Sequence, residues 1–299
     1  MTTATRTPIE RVEAFPGNFD AMYRAPRRPI VVRRAIDAWA ASRWTPELFA
    51  DRFSAVDIAA TIQLPEEGVV YLQKDKAHRR TLRVPDFVDL MNSGACCYLD
   101  QVDLGRFPGL DADVPIDTMI PSGRRFANIW MGARTRSGLH YDPMDNYLIQ
   151  VFGEKIALLA APDQRRRLYP FGDNVAKSRI DPEAPDTARF PRVRDVVFHV
   201  ATLGPGDLLY IPRGWWHFLR APDRSISINL WHDPALTISE ELGAIRDLGP
   251  AVWGRVARDF VWHGVCGRPF EQRLYSPPPT GKLLFDVCSM LVRGKSLPS

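Results

Sequence analysis

Ser137-Gly138-Leu139-His140-Tyr141-Asp142 is the stretch on which the reading turns. Residues i and i+2 of a strand share a face, so His140 and Asp142 can converge on one ion. A third ligand must come from a distant strand, and Trp215-Trp216-His217, just after the apolar run Leu208–Ile211, supplies it. Two imidazoles and one carboxylate on one face of an octahedron leave three positions open. Non-haem iron needs those positions for a chelating cosubstrate and dioxygen. A lone His-x-Asp also suits a strand-edge histidine followed by an aspartate that starts the Pro143 turn, so the surroundings must decide.

Working outward, Asn146–Phe152 and Lys155–Leu159 read as a hairpin turning at Gly153-Glu154. Lys155 opens the return strand, 15 residues after His140. There it could reach the site and bind the distal carboxylate of 2-oxoglutarate; otherwise it is a solvated hairpin lysine. Six of the 39 basic residues are lysines and the other 33 arginines, so a lysine at this place favours a specific role. Further strands are expected at Cys97–Leu99, Phe126–Met131, Phe198–Leu203, Leu208–Ile211, Trp216–Leu219 and Ser225–Trp231. Short strands joined by turns such as Gly204-Pro205-Gly206-Asp207 argue for a sandwich or barrel.

The flanks differ. Residues 1–95 read as mixed α/β: a strand at Ile30-Val31-Val32, a helix capped by Thr45 with Pro46 at its first position, and a second helix from Val84-Pro85. The C-terminal end reads as helical. Thr237 and Glu240 form a capping-box pattern ahead of Leu242 and Ile245, Gly249-Pro250 breaks that helix, and Val252, Val256 and Phe260 repeat in the next. A last helix carries Leu284, Val287 and Leu291. His199 and His232 are expected to be structural, His78 and His263 to be surface or packing residues. Arg165-Arg166-Arg167 reads as a solvated helix face, and Trp253 and Trp262 as helix-packing residues.

The chain has 299 residues, 45% of them hydrophobic, ample for a full core. A net charge of +4 gives no argument for a nucleic-acid partner. No stretch approaches the ~20 apolar residues of a membrane span, and no secretory signal is read at the start. The four cysteines lack zinc-site or redox-pair spacing, so they are expected to be reduced and partly buried, as in a cytoplasm.

Taken together, His140-Tyr141-Asp142, Asn146, Gly153-Glu154-Lys155, Pro162-Asp163-Gln164, Leu168-Tyr169-Pro170, Arg189-Phe190-Pro191, Gly204 through Pro212, Trp215-Trp216-His217 and Asn229-Leu230-Trp231 resemble the JmjC-type hydroxylases of the cupin-8 group. The pattern is close to that of the factor-inhibiting-HIF asparaginyl hydroxylase. The likeness covers roughly residues 96–232 and is looser in the N-terminal third. It implies a mainly β fold: a double-stranded β-helix (cupin/jelly-roll) barrel with an α/β N-terminal part and C-terminal helices. Residues 1–235 would be the catalytic domain, with its barrel core at 96–235, and 236–299 a helical dimerisation segment whose Val252, Val256 and Phe260, with Leu284, Val287 and Leu291, form an exposed stripe paired across a two-fold axis.

The resemblance further implies Fe(II) held by His140, Asp142 and His217, with 2-oxoglutarate as cosubstrate and O2. Lys155 matches the residue that pairs with the cosubstrate's distal carboxylate. Ser137 stands where the family has Thr, and Tyr98 matches a tyrosine on the same carboxylate. Asn146 and Asn229 match polar groups beside the metal and the cosubstrate's other end, and Trp231 a pocket wall. The family's Gln after Tyr98 is Asp100 here, a departure that bears on substrate. The implied activity is C–H hydroxylation of a peptide, amino-acid-like or natural-product substrate by a homodimer, with succinate and CO2 released. Asp142 favours hydroxylation, since related halogenases lack this carboxylate. The alternatives are N-methyl demethylation by the same mechanism, a metal-dependent cupin enzyme without 2-oxoglutarate, and a non-catalytic cupin. The Pro-rich stretch from Phe171 to Val196 is expected to be a loop over the barrel mouth. Its Asp173, Lys177, Arg179, Asp181, Glu183, Asp186 and Arg189 suit a polar, extended substrate, or else are simply solvated.

Overall fold

Thr45 lies in extended backbone, and its Oγ1 accepts from the Leu48 N–H at 3.2 Å. Helix α1 (Pro46–Arg52) therefore begins where a cap and a following proline place it. Helix α2 (Val84–Asn92) turns Val84, Phe87, Val88 and Met91 inward. Both pack on a sheet. The computed structural model describes residues 4–64, 67–69, 78–120, 125–234, 242–243, 246, 248–270 and 279–292. The Thr237/Glu240 capping box and Ile245 lie outside the described residues.

In chain order the strands are β1 (Thr5–Pro8), β2 (Arg11–Val12), β3 (Ile30–Val32), β4 (Asp57–Ile62), β5 (Arg79–Arg83), β6 (Cys97–Asp103), β7 (Arg125–Ala133), β8 (His140–Tyr141), β9 (Met144–Phe152), β10 (Lys155–Ala160), β11 (Val197–Leu203), β12 (Leu208–Ile211), β13 (Trp216–Arg220) and β14 (Ser225–Pro234). They form a five-stranded sheet, β1-β11-β10-β13-β8, and a nine-stranded sheet, β2-β3-β12-β9-β14-β7-β6-β4-β5. Strands from the first 95 residues thus complete both sheets. Leu148, Leu209 and Ile211 of the large sheet meet Ala157, Leu159 and Ala201 of the small one, which makes the space between the sheets the barrel interior. The outer face of the large sheet carries the main core under α1 and α2, and the outer face of the small sheet carries a second around Phe198, Trp216 and Phe218. This is the jelly-roll architecture of a cupin barrel, mainly β with a few helices.

The hairpin expected from Asn146 to Leu159 is corrected. The turn exists, but β9 pairs with β12 and β14 while β10 pairs with β11 and β13. The chain leaves one sheet and enters the other, as a double-stranded β-helix requires. Gly153 makes that crossing with φ 71°, and a Cβ there would lie 2.0 Å from the Arg224 carbonyl oxygen. Only glycine fits.

At the C-terminal end, α3 (Pro250–Asp259) follows Gly249 and α4 (Thr280–Val292) packs on it. Here two expectations fail. Val252, Val256 and Leu284 were to form an exposed stripe, but they gather around Val175, and Phe260 packs edge-on against Phe285 at 5.4 Å. The stripe joins the helices to each other and to the barrel. The side chain of Leu291 lies outside the described residues. Trp253 and Trp262, expected to pack, are each 45% exposed, alongside Val261, Val265 and Leu283. The helices need only one apolar face to dock, and these residues occupy the other. No described helix is long and apolar enough to cross a membrane. None of the four cysteines is in a disulfide, and Cys266 and Cys288 are exposed.

Candidate metal centre

Register brings the ligand residues together. His140 and His217 are direct partners in the β8–β13 ladder, and their ring centroids are 4.2 Å apart. Asp142, just past β8, sets one carboxylate oxygen 3.8 Å from His140 Nε2 and the other 3.5 Å from His217 Nε2. One ligand atom from each residue lies within 4.8 Å of the others, the only such group of three metal-binding side chains found among the described residues.

Both imidazoles are oriented from behind. His140 Nδ1 lies 2.8 Å from the Gly138 carbonyl, and His217 Nδ1 lies 3.1 Å from the Trp215 carbonyl. A carbonyl only accepts, so each Nδ1 carries the proton and each Nε2 keeps a free lone pair toward Asp142. Burial holds both rings below the usual histidine range. The Lys177 charge pushes the same way on both, and His217 adds to the effect on His140. Neutral imidazole is the ligating form. The two ligand segments are also tied together, because the Gly214 N–H donates to the Asp142 carbonyl at 2.9 Å.

Lys155 is 2% exposed, and burial alone pushes it down to about 7. It lies four residues along β10 from Leu159, the partner of His217, so it shares a sheet face with that ligand about 13 Å away along the strand. Among the described residues it has neither a carboxylate partner nor a hydrogen bond. A buried cation in that state calls for an anion. On the facing sheet, Asn146 opposes both Ile211 and Trp231, and Asn146 Oδ1 and Trp231 Nε1 are buried without partners. Asn229 Oδ1 accepts from Trp130 Nε1 at 2.8 Å, and the Trp130 ring lies 5.7 Å from that of Tyr98. Burial, then Asp100, raises the Tyr98 phenol above its usual range. Ser137 is anchored to β13, its Oγ accepting from the Leu219 N–H at 2.9 Å, and its own proton remains to donate. Asp100 accepts from Thr61 at 3.3 Å and from Arg79 at 3.1 Å, so it is held within the sheet.

The site also holds a residue that sequence reasoning assigned elsewhere. Lys177 was grouped with the charges of the Phe171–Val196 loop, but it is 7% exposed and forms an antiparallel bridge with His140. Opposed residues point to one face, so its ammonium lies on the ligand side. Ser178 N–H donates to the Leu139 carbonyl and Tyr141 N–H to the Ala176 carbonyl, so this segment lies beside β8 through isolated bridges that no periodicity marked. The other loop charges divide. Asp181 and Glu183 pair with Arg136 at 3.0 and 3.5 Å, and Glu183 also reaches Arg220 at 3.4 Å. Arg179, Asp186 and Arg189 are exposed. Of the remaining histidines, His199 contacts Thr7 Oγ1 at 3.1 Å and packs on Trp215, while His232 is buried behind the large sheet.

The profile of the cupin-like domain family matches residues 16–238. The chain belongs to that family, the JmjC-type cupins. Its relatives include lysine-specific demethylase 8 of Xenopus tropicalis, 31% identical over 228 residues (72% of this chain, 50% of that protein). The Jumonji C domain-containing protein 5 of Drosophila melanogaster is 38% identical over 144 residues, which is 45% of this chain and 36% of that protein. The tRNA wybutosine-synthesizing protein 5 of Danio rerio is 27% identical over 228 residues, 69% of this chain and 68% of that protein. The chain spans about half the length of the demethylase relatives it matches. JmjC cupins are oxygenases that use Fe(II), 2-oxoglutarate and O2. The donor set fits those groups: two neutral imidazoles and a carboxylate for the ion, and an uncompensated buried lysine for a dicarboxylate.

Proposed function

We propose that this chain is an Fe(II)/2-oxoglutarate-dependent hydroxylase acting on a C–H bond of a peptide, amino-acid-like or natural-product substrate. His140, Asp142 and His217 hold the iron, and Lys155 neutralises the far carboxylate of 2-oxoglutarate. The observation that carries this is the pairing, on one barrel face, of a three-ligand cluster with a buried lysine that lacks an anion. A cupin enzyme that does not use 2-oxoglutarate has no need of that lysine.

When bound, the iron with 2-oxoglutarate and O2 supplies the oxidising chemistry, and succinate and CO2 are its by-products. The protein's part is orientation. The Gly138 and Trp215 carbonyls fix the two rings, and Asp142 offers a carboxylate to the ion between them. Ser137 and Tyr98 add hydrogen bonds for the cosubstrate carboxylate, and Asn146, Asn229 and Trp231 line the opposite wall. Incubating the iron-loaded protein with 2-oxoglutarate and peptide or metabolite pools tests this, with succinate measured and mass spectrometry seeking products that gain one oxygen. Absence of 2-oxoglutarate turnover under all pools contradicts it.

N-methyl demethylation is the second reading, favoured by the demethylase names among the relatives. Hydroxylation of a carbon next to nitrogen releases formaldehyde, so the same site serves both. We also propose that 236–299 is a dimerisation segment, supported by the exposed Trp253, Val261, Trp262, Val265 and Leu283.

A further inference from the structure

Tyr169 and Phe190 lie ring to ring, centroids 4.9 Å apart, beside the outer core of the five-stranded sheet. Three guanidinium groups close around them. Arg192 lies 5.1 Å from the Tyr169 centroid, Arg189 5.2 Å from that of Phe190, and Arg179 spans both at 6.0 and 5.6 Å. The Tyr169 hydroxyl accepts from the Arg192 N–H at 3.1 Å, and Arg179 Nε donates to the Tyr169 carbonyl at 3.3 Å, so the cluster is fixed at its base. All three arginines are exposed. Among the described residues no carboxylate lies within 4.0 Å of their guanidinium nitrogens.

Among the acids of the same loop, Asp181 and Glu183 pair with Arg136, Glu183 also pairs with Arg220, and the exposed Asp186 uses Oδ1 to accept from the backbone N–H groups of Ala188 and Arg189. On the exposed side of the segment from Phe171 to Val196, Arg179, Arg189, Arg192 and Arg194 outnumber Asp186 and Asp195. Arg179 follows two residues after Lys177, which faces His140 across the bridge. Two chain steps and one ladder spacing put its Cα within about 12 Å of that of His140.

We infer that Arg179, Arg189 and Arg192 form a recognition site for an acidic segment of a peptide substrate. The inference rests on the peptide-substrate reading proposed above. Arginine suits the task, since its planar fork donates two hydrogen bonds to a carboxylate and stacks on rings meanwhile. A nucleic acid fits less well, because the two rings are covered by each other and by guanidinium groups and offer no face for a base.

The test is fluorescence anisotropy on the full chain with three probes: a labelled decapeptide alternating Glu and Ser, its Lys–Ser counterpart, and decauridylate. The Glu–Ser peptide should bind the wild type, weaken with added salt, and bind the R179Q/R189Q/R192Q variant about tenfold less tightly or worse. The R179K/R189K/R192K variant should retain part of the affinity, which shows that charge and not folding is read. Equal binding by wild type and the Gln variant overturns the proposal, as does no peptide binding by the wild type. Decauridylate binding more tightly than the peptide, and lost in the same variant, also overturns it. Binding needs neither iron nor 2-oxoglutarate, so peptide binding by a protein that turns over no 2-oxoglutarate with any pool removes the oxygenase reading and leaves an acidic-peptide site standing. Turnover without peptide binding does the reverse.

Discussion

His140 and His217 face each other across the β8–β13 ladder, ring centroids 4.2 Å apart, each with Nδ1 against a carbonyl two residues earlier in its own chain. Burial disfavours the charged form of both rings, the Lys177 charge adds to this on both, and His217 adds to it on His140. Both are held below the usual range. The folded state therefore refuses protons that the unfolded chain accepts near its own pKa of about 6.5. Stability from these groups is present above that pH and lost as pH falls below it. A metal-free melting series should show midpoints falling below about pH 6.5, and His217→Gln should flatten the fall. An unchanged acid limb in that variant contradicts the assignment.

Lys177 lowers both imidazole pKa values through its charge. In Lys177→Met both should titrate at higher pH, read from the Cε1 proton shifts of the metal-free protein. No upward movement means the ammonium does not face the triad.

Lys155 titrates at about 7 in the folded protein against 10.5 for the free side chain, because burial penalises its charge. The unfolded chain holds that proton across the interval and the folded one does not, so metal-free stability should rise with pH from 7 to 10. Lys155→Met should melt about 5 °C or more higher than wild type at pH 7, and 2-oxoglutarate should stabilise only the wild type. A variant that melts lower, or still responds to 2-oxoglutarate, contradicts the role.

How much of this was legible beforehand differs by residue. The triad was, because His-x-Asp and a distant Trp-Trp-His are local patterns, and the motifs around them decide between a ligand pair and a strand-edge histidine before a turn. Thr45-Pro46 was, because a cap is a short-range hydrogen bond. Sheet membership was not. Asn146–Phe152 and Lys155–Leu159 look like a hairpin to any local reading, and only the closing of the barrel sends them to different sheets. Lys177 was hidden for the same reason: its bridge to His140 joins residues 37 apart within a segment that has no strand pattern. Trp253 and Trp262 misled because helical spacing shows that a face is apolar, not what covers it.

Arg136 is 3% exposed and tied to Asp181 at 3.0 Å, Glu183 at 3.5 Å and the Gly68 carbonyl at 2.9 Å. Removing one member of a buried ion network leaves an uncompensated charge. Arg136→Met should lose about 3–5 kcal/mol in urea unfolding. A loss below about 1 kcal/mol would mean that water reaches these carboxylates.

The exposed Trp253 and Trp262 predict a homodimer by light scattering at micromolar concentration, and Trp262→Glu should shift it toward monomer. A wild-type monomer removes that proposal without touching the metal site.

The most direct test of the central claim is succinate formation from 2-oxoglutarate by protein reconstituted with Fe(II), compared with His140→Ala, Asp142→Ala and His217→Ala. Iron- and oxygen-dependent succinate is expected from the wild type and none from any of the three variants, each with weakened iron binding. Turnover at the wild-type level in any one of them contradicts it.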